Sequence, residues 1–299
     1  MVIGITGGSG FVGMHLIDKF LANNYQVKVL ALEANPNFPK EVKFIKGDLV
    51  KKENISIFLK DVDILIHLAA RIIPPDDVMM KNNVLATFNL VTAALNHPIK
   101  QIIFTSSVAV YGKQSLPFHG KDKKSKFKET DECFPNTTYG LSKYLSEKII
   151  LYWSSNTGNP VTIFRPFNIY GPGNYKGIIY SFISGIKDKG NVVIYGDGKQ
   201  ERDFMYVGDF VEAVVRAIDM KKKGIFNLGF YKKYSILEVF KTFKKIMKND
   251  VKVTFNKTEQ GKVFNINQDL SLAKKVLGWK AKVNLEQGLK KTIEWYEKN

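Results

Sequence analysis

Tyr139 and Lys143, four residues apart, could carry acid–base chemistry if the stretch around them is helical. Positions i and i+4 share a helical face, so a phenol and an ammonium would enter one pocket. A cation beside a phenol lowers its pKa from a reference of about 10, which makes it usable as acid or base near neutrality. The pattern is cheap in a lysine-rich chain, and Tyr144…Lys148 and Tyr195…Lys199 match it too. The former lies five positions along the same helix and faces elsewhere; the latter is broken by Gly196 and Gly198. Upstream, Ser107 follows a strand-like run, Gln101–Thr105. It could hydrogen-bond a substrate hydroxyl or share a proton with Tyr139, or Ser106 and Ser107 could simply cap or turn the chain.

A third pattern could hold an anion. The apolar run Val2 to Ile5 ends in glycines at 7, 10 and 13, and an amphipathic stretch with Phe11, Leu16, Ile17 and Phe20 follows. A buried strand passing through a glycine turn into a helix is the setting that dinucleotide binding requires. Gly7 would allow the tight turn, Gly10 the close approach of a pyrophosphate, and Gly13 tight packing of helix on strand. The first helical turn, Phe11-Val12-Gly13, would offer free N–H groups and a partial positive charge. The spacing is G-x-x-G-x-x-G rather than G-x-G-x-x-G, so a purely structural turn is the competing explanation.

These residues need a scaffold, and the hydrophobic pattern supplies one. Strands are expected at Gln26–Leu32, Val42–Lys46, Asp63–His67, Gln101–Thr105 and Val161–Arg165. Helices are expected at Lys51–Lys60, Val78–Asn96 and Tyr139–Ser154, with an irregular segment at Tyr111–Thr138. Such alternation predicts an α/β fold with a Rossmann-type, doubly wound parallel sheet whose ligand crevice lies at the strands' C-terminal ends. Beyond Pro166 the pattern loosens into a smaller C-terminal α/β lobe. The expected division is 1–165 for dinucleotide binding and 166–299 for substrate, with part of 205–230 returning to the first domain.

Composition narrows the function. With 299 residues, 44% of them hydrophobic, the chain can bury a sizeable core. No apolar run approaches the ~20 residues that span a bilayer, and the first strand begins almost at once, leaving no room for a leader, so a cytoplasmic protein without membrane contact is expected. One cysteine, Cys133, fits a reducing compartment, and the four histidines are too scattered for a metal site. Of 45 basic residues behind the net charge of +17, only Arg71, Arg165, Arg202 and Arg216 are arginine. Base-edge recognition leans on arginine, so specific nucleic-acid binding is not expected. The dense lysine run 113–128 is most simply a solvated loop.

Taken in order, the motifs resemble the extended short-chain dehydrogenase/reductases of the NAD-dependent nucleotide-sugar epimerase/dehydratase family. The matches are the glycine turn, Gly47-Asp-Leu49, His67-Leu-Ala-Ala70, Asn83-Val-x-x-Thr87, Ser107 with Tyr111-Gly112, and Tyr139/Lys143. They continue through Arg165-Pro-Phe-Asn-Ile-Tyr-Gly-Pro172, Tyr195 to Asp209, and Asp269-Leu-Ser-x-Ala…Leu277-Gly-Trp279. The resemblance implies Ser107, Tyr139 and Lys143 as catalytic residues. Gly7, Gly10, Phe11, Val12, Gly13, Asp48, Leu49, Leu68, Ala69, Ala70, Asn83 and Lys143 would hold the cofactor. Ser107, Asn168 and Arg202 would meet a nucleotide-diphosphate sugar. The residues' own alternatives are a turn for Asn168 and an ion pair with Asp203 or Asp209 for Arg202. The family's dimer faces, near 78–96 and 139–154, imply a homodimer.

Three departures from the family pattern matter. Ala31 stands where strand two usually ends in the acidic residue that binds the adenosine ribose. Glu33, slightly displaced, would repel a 2′-phosphate, which favours NAD and leaves NADP as the alternative. The family's diphosphate arginine falls on Glu259, so Lys257 or Lys262 must substitute or the substrate differs. The lysine run makes the loop before Tyr139 long. Dehydratases of the family carry an acid after the catalytic Ser/Thr, whereas Val108 and Ala109 follow Ser107 here. That disfavours elimination and leaves a 4-epimerase, with a 4-ketoreductase of deoxysugar nucleotides second and a non-catalytic dinucleotide-binding protein third.

Overall fold

The computed structural model describes residues 1–112, 126–247, 251–256 and 267–299, leaving aside the side chains of residues 188 and 189. Most of the lysine run, and Glu259 with Lys257 and Lys262, lie outside the described residues. The chain opens with β1 (Val2–Thr6), α1 (Phe11–Ala22), β2 (Gln26–Ala31), β3 (Lys43–Lys46), α2 (Ile55–Leu59) and β4 (Ile64–His67). Next come α3 (Asp76–Met80), a π-helical turn (Lys81–Leu85), α4 (Ala86–Ala94) and β5 (Gln101–Thr105). A 3-10 turn (Val108–Tyr111), α5 (Thr138–Thr157), β6 (Val161–Pro166), β7 (Asn168–Tyr170) and α6 (Gly177–Lys189) follow. Then come β8 (Asn191–Tyr195), β9 (Glu201–Tyr206), α7 (Val207–Asp219), β10 (Gly224–Leu228) and β11 (Lys233–Ser235). The chain closes with α8 (Ile236–Met247), β12 (Lys252–Asn256), α9 (Ser271–Leu277) and α10 (Leu285–Lys298).

Seven strands form one parallel sheet in the order β10-β6-β5-β4-β1-β2-β3. The α/β, Rossmann-type expectation is met. Succession runs outward from β1 in both directions, so a crevice opens where β1 lies beside β4, above their C-terminal ends. Parallel strands covered on both faces read as unbroken apolar runs, and Ile64-Leu-Ile-His67 is buried at every position. Ile102, Phe104 and Ile163 of the sheet share a core with Leu90, Ile150 and Trp153 of α4 and α5.

Two helices differ from the periodicity's prediction. Lys52 and Asn54 adopt left-handed φ angles of 60° and 56°, which hold α2 to Ile55–Leu59. The helix expected over Val78–Asn96 starts earlier and is interrupted by the π-helical turn, which swings Asn83 inward.

The chain divides into two compact units: Met1–Pro166 with Val211–Leu228 and Ile266–Trp279, and Phe167–Phe210 with Gly229–Asn265 and Lys280–Asn299. Within the second, β7 pairs parallel and β11 antiparallel with β9, while β12 pairs with β8. Phe182, Ile194, Phe204, Phe243 and Leu289 sit in its core. Strands β7, β9 and β11 were not legible as strands: they are short, and polar residues open each of them.

Candidate active site

The glycine turn is built as an anion cradle. Gly7 has φ +70°, and a Cβ there would lie 2.8 Å from the backbone of Ala69. At Gly13 a Cβ would meet the backbone of Gly8 at 2.5 Å, so the tight approach is within the turn itself rather than onto the strand. Gly10 is different: a Cβ there would meet only the Gly7 carbonyl oxygen, at 3.3 Å. Gly10 is also the N-cap of α1 and provides no side-chain cap, so the helix begins with first-turn amides, Phe11 to Gly13, that no cap side chain satisfies. These residues fit a dinucleotide pyrophosphate.

Other expected cofactor residues line the same strand ends. The Asp48 carboxylate accepts from the Val50 amide at 2.8 Å, and the Leu49 side chain is turned into the core while its carbonyl accepts from the buried Asn89 side chain at 2.8 Å. Leu68 and Ala69 are half-buried and Ala70 is exposed. Asn83 is buried and both ends of its amide are engaged: it accepts from the Arg71 amide at 2.7 Å and donates to the Arg71 carbonyl and the Ser142 hydroxyl. Its geometry is that of a strut for the 69–71 loop. Ala31 ends β2 directly across from Lys46, and the nearby Asn35 donates to the Ser9 carbonyl at 3.0 Å.

The catalytic candidates converge within the first unit. Thr137 caps α5 by accepting from the Gly140 amide at 3.1 Å, starting the helix just before Tyr139. A Cβ on Gly140 would meet the Ala109 carbonyl oxygen at 2.4 Å, so glycine there lets the 3-10 turn close onto the helix. Ser107 is thereby set beside the Tyr139 phenol, close enough to favour its ionised form, while its own hydroxyl oxygen accepts from the Ala109 amide at 3.2 Å. Lys143 is buried, donates from Nζ to the Thr105 carbonyl at 2.7 Å and lies 4.7 Å from the centre of the Phe104 ring.

Electrostatically the pair differs from the simple expectation. Burial pushes the Tyr139 phenol up to about 12, with Ser107 opposing, while burial lowers Lys143 to about 7. Burial dominates at the phenol, and the Lys143 ammonium is aimed at the Thr105 carbonyl. His67, between the Thr6 and Thr87 hydroxyls at 2.6 and 2.9 Å, is held neutral by burial, down to about 3.

Glu147 was missed by sequence reasoning. It lies one turn beyond Lys143 and forms a buried two-armed pair with Arg165, at 2.9 and 2.7 Å. Its signal was available: an acid at the same four-residue step as Tyr139 and Lys143.

In the second unit, Asn168 is a strand residue of β7 rather than a turn residue, and it donates to the Asp203 carbonyl at 3.1 Å. Arg202 is half-buried, has no ion-pair partner among the described residues, and is lowered by burial. Neither neighbouring acid is turned to it. Asp203 accepts from the Phe230 amide, and Asp209 accepts from the Lys282 and Val283 amides at 3.0 Å.

A parallel sheet whose order reverses beside a glycine turn, with a half-buried tyrosine and a buried lysine at the same strand ends, has the form of a dinucleotide-binding Rossmann-type fold. Residues 3–229 match the model of the NAD dependent epimerase/dehydratase family, and the chain belongs to that family of enzymes. A Methanocaldococcus jannaschii protein, provisionally named a UDP-glucose 4-epimerase, is 33% identical over 99% of this chain and 98% of its own. The crystal structure of a Thermotoga maritima UDP-glucose 4-epimerase with UDP-glucose superposes with TM-score 0.90 at 29% identity, covering 100% and 99% of the two chains. That of a Bacillus cereus UDP-glucuronic acid 4-epimerase with UDP-glucuronic acid and NAD gives 0.86 at 26% identity, with the same coverage. Nucleotide-sugar decarboxylases and a dehydratase are also similar, at 26–31% identity. Among the described residues, no helix is long and apolar enough to cross a membrane.

Proposed function

We propose that this enzyme is a nucleotide-sugar 4-epimerase using NAD, with Ser107, Tyr139 and Lys143 as its catalytic residues. The observation that carries this reading is Tyr139 set beside Ser107 and one helical turn from a buried Lys143, with two apolar residues, Val108 and Ala109, following Ser107. Elimination needs an acid and a base at adjacent carbons, and decarboxylation brings its own charge-handling demand; those two side chains serve neither. The glycine turn, Asp48, Leu49 and residues 68–70 hold the dinucleotide, with Asn83 bracing the last of these. Bound NAD supplies the hydride acceptor and donor that a 4-keto route requires.

The chain's own residues manage the proton. Ser107 orients the sugar hydroxyl, and Tyr139 takes its proton and later returns it. Lys143, as a cation, stabilises the phenolate at that moment. The first unit is the dinucleotide-binding part and the second the substrate part, where Asn168 and Arg202 receive the diphosphate or nucleotide. A homodimer is supported by exposed Leu85 and Phe88 beside exposed Leu141 and Tyr152 on α5. A cytoplasmic home suits the single free thiol, Cys133.

Tyr139→Phe tests the assignment: turnover of a UDP-hexose should fall by ~10²–10⁴-fold with the fold unchanged. Near-normal turnover would overturn it. Purified protein that carries NAD and epimerises without added cofactor supports the epimerase. Strict dependence on added NADH or NADPH supports the ketoreductase instead.

A further inference from the structure

Residues 105–107, at the end of β5, are gripped by three successive turns of one helix face. Tyr139 stands beside Ser107, Lys143 holds the Thr105 carbonyl at 2.7 Å, and Glu147 accepts from the Ser106 hydroxyl at 2.5 Å. The proposed mechanism uses the first two rungs and leaves the third, a carboxylate only 1% exposed, without a role. Burying a carboxylate is costly, and a structure that keeps one ionised must supply a partner. Arg165, 3% exposed, does so with both arms, and it is anchored in turn by donating to the Tyr111 hydroxyl at 2.9 Å.

We infer that Glu147, clamped by Arg165, is a positioning residue for Lys143: it fixes the third rung of the ladder and gives the buried ammonium its counter-charge. The inference rests on the catalytic reading of Tyr139 and Lys143 above. The surroundings of Lys143 leave that task to Glu147. From β5 it meets the Phe104 ring and the Thr105 carbonyl; from β4 the nearest titratable group is His67, which is neutral; on α5 its neighbours are Tyr139 and Glu147. Around Glu147 stand Ser106, Arg165 and the Cys133 thiol, which burial raises to about 11 and which is uncharged. Burial works against the Lys143 cation, and Glu147 works for it.

The sign follows directly. Without the carboxylate, Lys143 loses its proton at lower pH, so the alkaline limb of kcat moves to lower pH. The test is Glu147→Gln combined with Arg165→Met, which removes both charges and leaves no orphan ion. The expected result is an alkaline limb displaced downward by about one unit or more, with KM for the UDP-hexose within about twofold of wild type, since Glu147 would not touch substrate. Arg165→Lys, which keeps a cation beside the carboxylate, should retain the wild-type limb. A 13Cε-lysine NMR titration of Lys143, assigned by Lys143→Arg, should show the same displacement without reference to activity. If the double variant does not fold, Glu147→Gln alone, studied at reduced temperature, leaves the Arg165 cation unpaired and should displace the limb further in the same direction. An unmoved limb together with an unmoved Lys143 midpoint would overturn the inference. A fully active Tyr139→Phe would instead overturn the catalytic reading, leaving the NMR result to judge the Glu147–Lys143 coupling on its own.

Discussion

Arg165, in the first unit, gives both arms of its guanidinium to Glu147 and a further hydrogen bond to Tyr111, whereas Arg202, in the second, is half-buried with no carboxylate partner among the described residues. Burial opposes the charge of both. For Arg165 the Glu147 carboxylate outweighs it and raises the pKa further; for Arg202 nothing does, and the pKa falls. One arginine is finished by the protein and the other is left for something else to finish. A rigid internal pair suits a region that must hold a proton-transfer geometry before substrate arrives. A half-buried cation with no carboxylate partner among the described residues matches the diphosphate contact proposed for Arg202.

That contrast can be broken experimentally. Arg165→Met alone strands Glu147 as a buried, unpaired carboxylate and should cost about 3–5 kcal/mol in urea unfolding; a loss below ~1 kcal/mol would place the two arginines on the same footing. Arg202→Met should leave unfolding within about 0.5 kcal/mol of wild type while kcat/KM for a UDP-hexose falls roughly 10–100-fold, the worth of charge-assisted phosphate contacts. An equal loss of stability and activity there would mean a structural role. Ala31→Asp restores a ribose-binding carboxylate opposite Lys46 and should tighten NAD binding by ~3–10-fold in calorimetry, with NADP weakened. Tyr144→Phe should change turnover by less than about twofold, because that ring is taken by the Lys148 ammonium, 4.8 Å from its centre.

What was legible in the sequence was what depends on near neighbours. The central strands of the large sheet are mostly apolar runs, the glycine turn is a contiguous motif, and Tyr139/Lys143 share a helical face by spacing alone. Roles that depend on distant partners were not legible. Glu147 acquires meaning only when β6 brings Arg165 alongside, and His67 only when Thr6 and Thr87 arrive from other elements. Asp203 next to Arg202 suggested an ion pair, yet strand alternation turns neighbouring side chains to opposite faces. Short β7, β9 and β11 form because they pair with one another, which no local pattern encodes.

The Tyr111 ring stacks on that of Phe127 at 4.7 Å and 19°, and Phe127 is tied by backbone hydrogen bonds to Asn267 and Asp269. The two points where the chain leaves and rejoins the catalytic neighbourhood are thus fastened together like the clasp of a bracelet. Whatever lies between them can lengthen, shorten or change composition without pulling on Ser107 or Tyr139.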